Sequence, residues 1–119
     1  METYKTMMDR ADVVINAALK EGAVTVSFDC MAMGKPLICL DTTGYTRYFT
    51  NEYAILIPRT GRKEVIQNIR DGILRLTDSR EREMLGRKAQ EASCKFSWEN
   101  HGKEIRDAIV KTYISYSSK

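Results

Sequence analysis

The sequence has no apolar run near the roughly 20 residues that a bilayer-spanning helix needs. Its opening, METYKTMMDRAD, carries acids and no apolar core, unlike a signal peptide. No block of Lys and Arg with interleaved aromatics occurs, and 19 basic against 16 acidic residues leave a net charge of only +3, too little to argue for nucleic acid as a partner. The three cysteines, Cys30, Cys39 and Cys94, have no metal-like spacing; their odd number at apolar positions predicts reduced, buried thiols in a cytoplasmic protein. The single histidine, His101, falls on an expected helix near the C-terminus and reads as a surface or packing residue rather than a ligand or base. Internal repeats, low-complexity tracts and linkers are missing, and so is the Gly-x-Gly-x-x-Gly turn that a dehydrogenase would want. What remains is a chain of 119 residues, 43% hydrophobic and 29% charged, which fits one globular domain with a modest core.

Three short apolar runs punctuate the first half: ADVVINAA at 11–18, PLICLD at 36–41 and AILIP at 54–58. Each is continuous rather than alternating, the pattern of strands covered on both faces in a parallel sheet. Between the first two, residues 23–33 read as a helix, with Val24, Phe28 and Met31 on one stripe and Val26 beside it. Gly34 suits a left-handed cap there, and Pro36 forbids continuation. Strand, helix and strand with short joints make a right-handed βαβ unit. The turn-rich, aromatic link TTGYTRYFTNEY leaves room for one short helical turn. Beyond Pro58 the spacing predicts helices over 62–76, 79–93 and 98–116. Val65, Ile66, Ile69, Ile73 and Leu76 form the apolar stripe of the first. The second opens on a capping box, DSRE, and the third on Ser97 with Phe96 as a staple. The fold class is therefore α/β: a three-stranded parallel sheet with flanking helices and a helical C-terminal half, one partial Rossmann-like domain over 1–119. The first strand reads as fully buried although nothing of the sheet precedes it, so either it is an edge or a neighbour lies upstream.

The stretch KEGAVTVSFDCMAMGKP, at 20–36, carries the chemistry. In open α/β sheets ligands bind beyond the carboxyl ends of the strands, where the LKEG loop would lie. Gly22 lets backbone approach closely, and the free N–H groups of Gly22, Ala23 and Val24, with Thr25 next to them, would form an anion site at the helix mouth. Asp29 would stand about two turns deeper, on the order of 10 Å along the axis, where a carboxylate suits vicinal hydroxyls rather than phosphate. Glu21 at the mouth would face a second polar group such as a sugar hydroxyl. Both acids also fit plainer roles: Glu21 as an acid favoured by the helix dipole, and Asp29 as a solvated helix residue or the partner of a basic neighbour.

EGAVTVSFDCMAMGKPLICLD resembles the signature of the retaining GT-B glycosyltransferases of the family 4 type: Glu-Gly, a second acid eight residues after the first, then Ala-Met-Ala-x-Gly-Lys-Pro-Val-Ile. Glu21, Gly22, Asp29, Met31, Ala32, Gly34, Lys35, Pro36 and Ile38 fall on that pattern. The flanks agree: ADVVINAA resembles the family's Ala-Asp-Val strand, NEYAILIP its following strand, and FSWEN the Phe-Ser-Trp-Glu that opens its closing helix. The resemblance implies that Asp29 binds the ribose of a nucleoside-diphosphate sugar and Glu21 the donor sugar near the reacting carbon. The amides of residues 22–24 would hold the diphosphate. It implies no metal cofactor, since helix dipole and basic side chains carry the leaving group's charge. The parent activity would be sugar transfer with retention, toward the cell-surface glycans that are the family's common destination, in the cytoplasm or at the inner face of the membrane.

The chain departs from the pattern in three places. Asp29 stands where the family usually has Glu and reaches one methylene less; Val24 replaces a Gly and brings a Cβ toward the donor; Ala17 and Ala18 replace Pro-Ser. The resemblance covers only the last part of the donor-binding lobe, so an N-terminal lobe or partner chain is expected to complete the cleft, and this chain alone is expected to be inactive. The strands would be the fourth to sixth of the order 3-2-1-4-5-6. The open side of the 11–18 strand is then an expected homodimer edge. The competing expectation is a non-catalytic interaction module that completes a separate partner chain.

Overall fold

The computed structural model describes residues 3–17, 25–41 and 49–117. Along the chain they form α1 (Tyr4–Arg10), β1 (Val14–Asn16), α2 (Thr25–Ala32), β2 (Leu37–Asp41), β3 (Ile55–Pro58), α3 (Arg62–Arg75), α4 (Ser79–Ser93), a 3-10 turn (Cys94–Phe96) and α5 (Trp98–Ser117). The three strands form one sheet in the order β1-β2-β3. Both pairings are parallel, Val14 opposite Leu37 and Ile38 opposite Ile55. The protein is α/β and Rossmann-like, as the apolar runs predict, and its strand and helix bounds follow the expected ones closely from β2 onward.

Strand β2 explains why the runs are continuous. Leu37 and Cys39 point into a cluster with Cys30, Met31, Phe49 and Ala89, on the face covered by α2 and α4. Ile38 and Leu40 point the other way, into a cluster with Ile57, Leu76 and Leu85, flanked by Val65 and Ile69 of α3. All four are at most 3% exposed. Burial of each aliphatic side chain is worth roughly 2 kcal/mol, so this strand anchors both layers.

Strand β1 differs from its expectation. It is three residues long, and Ile15 is 45% exposed. Among the described residues β1 pairs with β2 alone and so forms an edge of the sheet. In α3 the expected stripe is too wide. Val65, Ile69, Gly72 and Leu76 face the sheet, whereas Ile66 and Ile73 are exposed. Gly72 is where α3 comes nearest, with the Ile38 Cδ1 only 3.2 Å from where a Cβ would stand.

Helix α2 ends as Gly34 and Pro36 predict. Gly34 has φ +69° and its N–H donates to the Met31 carbonyl, while the Lys35 N–H reaches back to the Cys30 carbonyl. These are the two bonds of a Schellman cap. Helix α4 seats itself on this cap. A Cβ on Gly86 would fall 2.1 Å from the Gly34 carbonyl oxygen, and the Gln90 amide donates to the Ala32 carbonyl at 3.3 Å. The expected capping box at the start of α4 is only half present. Asp78 accepts from the Arg80 N–H at 2.9 Å, but Glu81 turns away to pair with Arg75 at 3.0 Å. Ser97 caps α5 through the Asn100 N–H, and Phe96 packs against the Phe28 ring, with centroids 5.3 Å apart.

Helix α1 had no sequence expectation, and neither did the exposure of the expected last helix. Helix α1 precedes β1, capped by Thr3, whose hydroxyl accepts from the Thr6 N–H, and anchored by buried Met8. Helix α5 spans 20 residues, about 30 Å, and every residue from His101 to Ser117 is exposed. Ile105, Ile109, Tyr113 and Tyr116 share one face of it, widened by Val110 and Ile114. The projecting helix accounts for a radius of gyration of 17.2 Å, against about 13–14 Å for a compact chain of this length.

The Gly86 contact gives a paired prediction. Gly86→Ala is expected to destabilise the fold by about 1–3 kcal/mol in denaturant unfolding, because the Cβ meets backbone. Gly102→Ala on open α5, where a Cβ meets nothing within 4 Å, is expected to gain up to about 1 kcal/mol of helix stability. Equal effects of one sign would contradict the close approach of α4 to the α2 cap.

Candidate functional site

The carboxyl end of β1 and the start of α2 meet through a polar pair. Asn16, the last residue of β1, donates from Nδ2 to the Ser27 hydroxyl at 3.2 Å, and Ser27 is fully buried. This bond ties the first described turn of α2 to the strand and fixes the helix's rotation about its axis. Met31 and Cys30 then face the core, Phe28 lies half-buried against the rings of Phe49 and Phe96, and Val26 faces outward.

That rotation sets Asp29. It is half-buried, neither sealed in the core nor fully in solvent. It lies four residues from the first described residue of α2, about 6 Å along the axis. Its Oδ2 accepts a hydrogen bond from the Tyr4 hydroxyl at 3.0 Å. Among the described residues this is its only side-chain partner, so the expected plain role as the mate of a basic neighbour is not what is found. Of the other expected site residues, Thr25 opens α2, while Glu21, Gly22, Ala23 and Val24 lie outside the described residues. The aromatic link at 42–48 lies outside them as well.

Tyr4 is the residue that sequence reasoning missed. It is carried by α1, which lies beside α2 and is held there at two points. Met8 enters the core, and the Lys35 Nζ donates to the Asp9 carbonyl at 2.8 Å, in the last turn of α1. Tyr4 is half exposed; partial desolvation, and then the hydrogen bond to Asp29, move its phenol above the ordinary value, and a phenol is protonated at neutral pH in either case, so the hydroxyl donates. The available signal was Thr3 with Thr6 as a cap ahead of Tyr4 and Met8 at helical spacing.

A shallow concavity opens at the carboxyl end of β3, between Pro58, Thr60 and the start of α3 at Gly61, Lys63 and Glu64. It is broad and open, with no buried polar group aimed into it. Among the described residues no three His, Cys, Asp or Glu side chains stand together as metal ligands would.

None of the three cysteines forms a disulfide, but they divide. Cys30 and Cys39 are buried as expected; burial, reinforced by Cys39, pushes the Cys30 thiol up to about 12. Its Sγ donates to the Lys35 carbonyl at 3.1 Å inside the helix cap. Cys94 corrects the expectation of three buried thiols: it begins the 3-10 turn after α4 and is exposed. A thiolate-specific reagent at pH 8 should therefore label one cysteine in the native protein and three after unfolding, with Cys94→Ser abolishing the native reaction. Because Cys30 titrates near 12, raising the pH to 9 should not release it while the fold holds. Rapid native labelling of two or more thiols would contradict this burial.

No protein-family model matches the chain, and no curated protein matches it by sequence.

Proposed function

We propose that this chain is the donor-binding portion of a retaining GT-B glycosyltransferase of the family 4 type, taking a nucleoside-diphosphate sugar as substrate. The observation that carries the reading is the position of Asp29. It is a half-exposed carboxylate on the helix that follows the first strand of a parallel sheet, one turn below the helix start, in register with the Glu-Gly…acid…Gly-Lys-Pro pattern. In this reading Asp29 accepts hydrogen bonds from the ribose hydroxyls. Glu21 orients the donor sugar at its reacting carbon, and the amides of residues 22–25 with the α2 dipole stabilise the diphosphate as it leaves. The acceptor site and further diphosphate cations come from an N-terminal lobe or partner chain, so the chain alone does not catalyse transfer. The work of the complete enzyme is in the cytoplasm or at the inner face of the membrane; no helix among the described residues is long and apolar enough to cross one.

A second reading rests on a different observation, the exposed apolar face of α5. A patch of that kind marks an interaction surface, as a non-catalytic module completing another chain would need. Isothermal calorimetry separates the two. The donor reading predicts measurable binding of a UDP- or GDP-sugar, weakened roughly tenfold or more by Asp29→Ala, the loss of a charged hydrogen-bond acceptor. No heat with either donor, together with a stable complex to a separately produced partner lobe, would overturn it in favour of the module.

A further inference from the structure

We infer that Tyr4 is a positioning residue for Asp29, holding one carboxylate oxygen so that the other is presented to the ribose diol of the nucleotide; this rests on the donor-site reading above. An ionised carboxylate only accepts, through two oxygens with about four lone-pair directions. Tyr4 takes one of these on Oδ2 at 3.0 Å, and among the described residues Oδ1 takes no partner. The two residues are 25 positions apart, and their meeting depends on how α1 is anchored. Met8 is 6% exposed in the core, and Lys35, from the cap of α2 itself, bonds the Asp9 carbonyl. Helix α1 is thus tied to the core and to the C-terminal cap of α2, and its first turn carries a phenol, protonated at neutral pH like any ordinary tyrosine.

The arrangement answers a difficulty in the sequence. Asp reaches one methylene less than the Glu that the family pattern carries at this place, and a half-exposed Asp free to rotate would present its oxygens poorly. A donor fixed on a neighbouring helix narrows that choice and leaves the second oxygen for the ligand. Tyr4 does not touch the ligand in this account; it acts through Asp29.

The test uses the 119-residue chain and four probes: UDP, GDP and their 2′,3′-dideoxy counterparts, titrated by calorimetry into the wild type, Tyr4→Phe and Asp29→Asn. The readout is the preference for the ribonucleotide over the dideoxynucleotide, which a merely structural role for Tyr4 would not move. Tyr4→Phe is expected to keep the fold by circular dichroism and to bind dideoxynucleotides as the wild type does. It should lose about threefold to tenfold of the ribose preference, the size of one hydrogen bond. Asp29→Asn should lose at least as much. If Tyr4→Phe keeps the full preference while Asp29→Asn loses it, the donor reading stands and the role of Tyr4 is overturned. Tighter ribonucleotide binding by Tyr4→Phe also overturns it, making Tyr4 a competitor for the carboxylate. A wild type with no ribose preference overturns the donor reading and this inference with it.

Discussion

Strand β2 has no solvent side, and the rest of the fold depends on that. Leu37 and Cys39 fill one layer while Ile38 and Leu40 fill the other, so neither layer can shift without opening its opposite. A parallel strand in this position has to have helices on both faces, and it does: α2 and α4 on one, α3 on the other. Leu85 of α4 belongs to the α3-side cluster while Ala89 and Ala92 belong to the other, so α4 contributes to both.

On the α2 side the decisive contact is backbone on backbone. The left-handed Gly34 turns its carbonyl toward Gly86, and only a glycine in α4 lets the two helices come so close. That contact fixes the lower end of α2, and the Asn16–Ser27 bond fixes its upper end. Between the two, the helix has no freedom to turn Asp29 inward. The candidate site is therefore a consequence of the packing beneath it: the carboxylate is half-exposed because Met31 and Cys30, on the facing side of the same turn, are buried.

Much of this was legible because the signals were redundant. β2 is a continuous apolar run closed by Asp41, and α2 stops at a Gly followed shortly by Pro; α3 and α4 carry stripes long enough to average over single exceptions such as Ile66. Helix α1 was not legible for the converse reason. Its seven residues bury one side chain, Met8, and its cap pairs two threonines rather than a Ser or Thr with Glu. Short helices of this kind form through tertiary contacts, here Lys35 and the core, which lie far along the chain. The Tyr4–Asp29 bond fails to show for the same reason, since no local spacing links them. In β1, a run of apolar residues reads as doubly covered, yet its place at the edge of the described sheet, where Ile15 is exposed, is set by tertiary arrangement that a run of letters does not specify. Cys94 is exposed because it continues α4 with helical φ and ψ and, by helical phase from Ala89 and Ala92, stands on the side away from the face that buries them.

A doubly buried β2 organises the molecule while α5 stands off from it, and residue-resolved amide hydrogen exchange distinguishes the two. Residues 38–40 should exchange only through global opening, and the amides of α5 beyond Gly102 should exchange at least a hundredfold faster, as expected for a helix without tertiary cover. Protection in α5 equal to that of β2, or fast exchange at residues 38–40, would contradict the account.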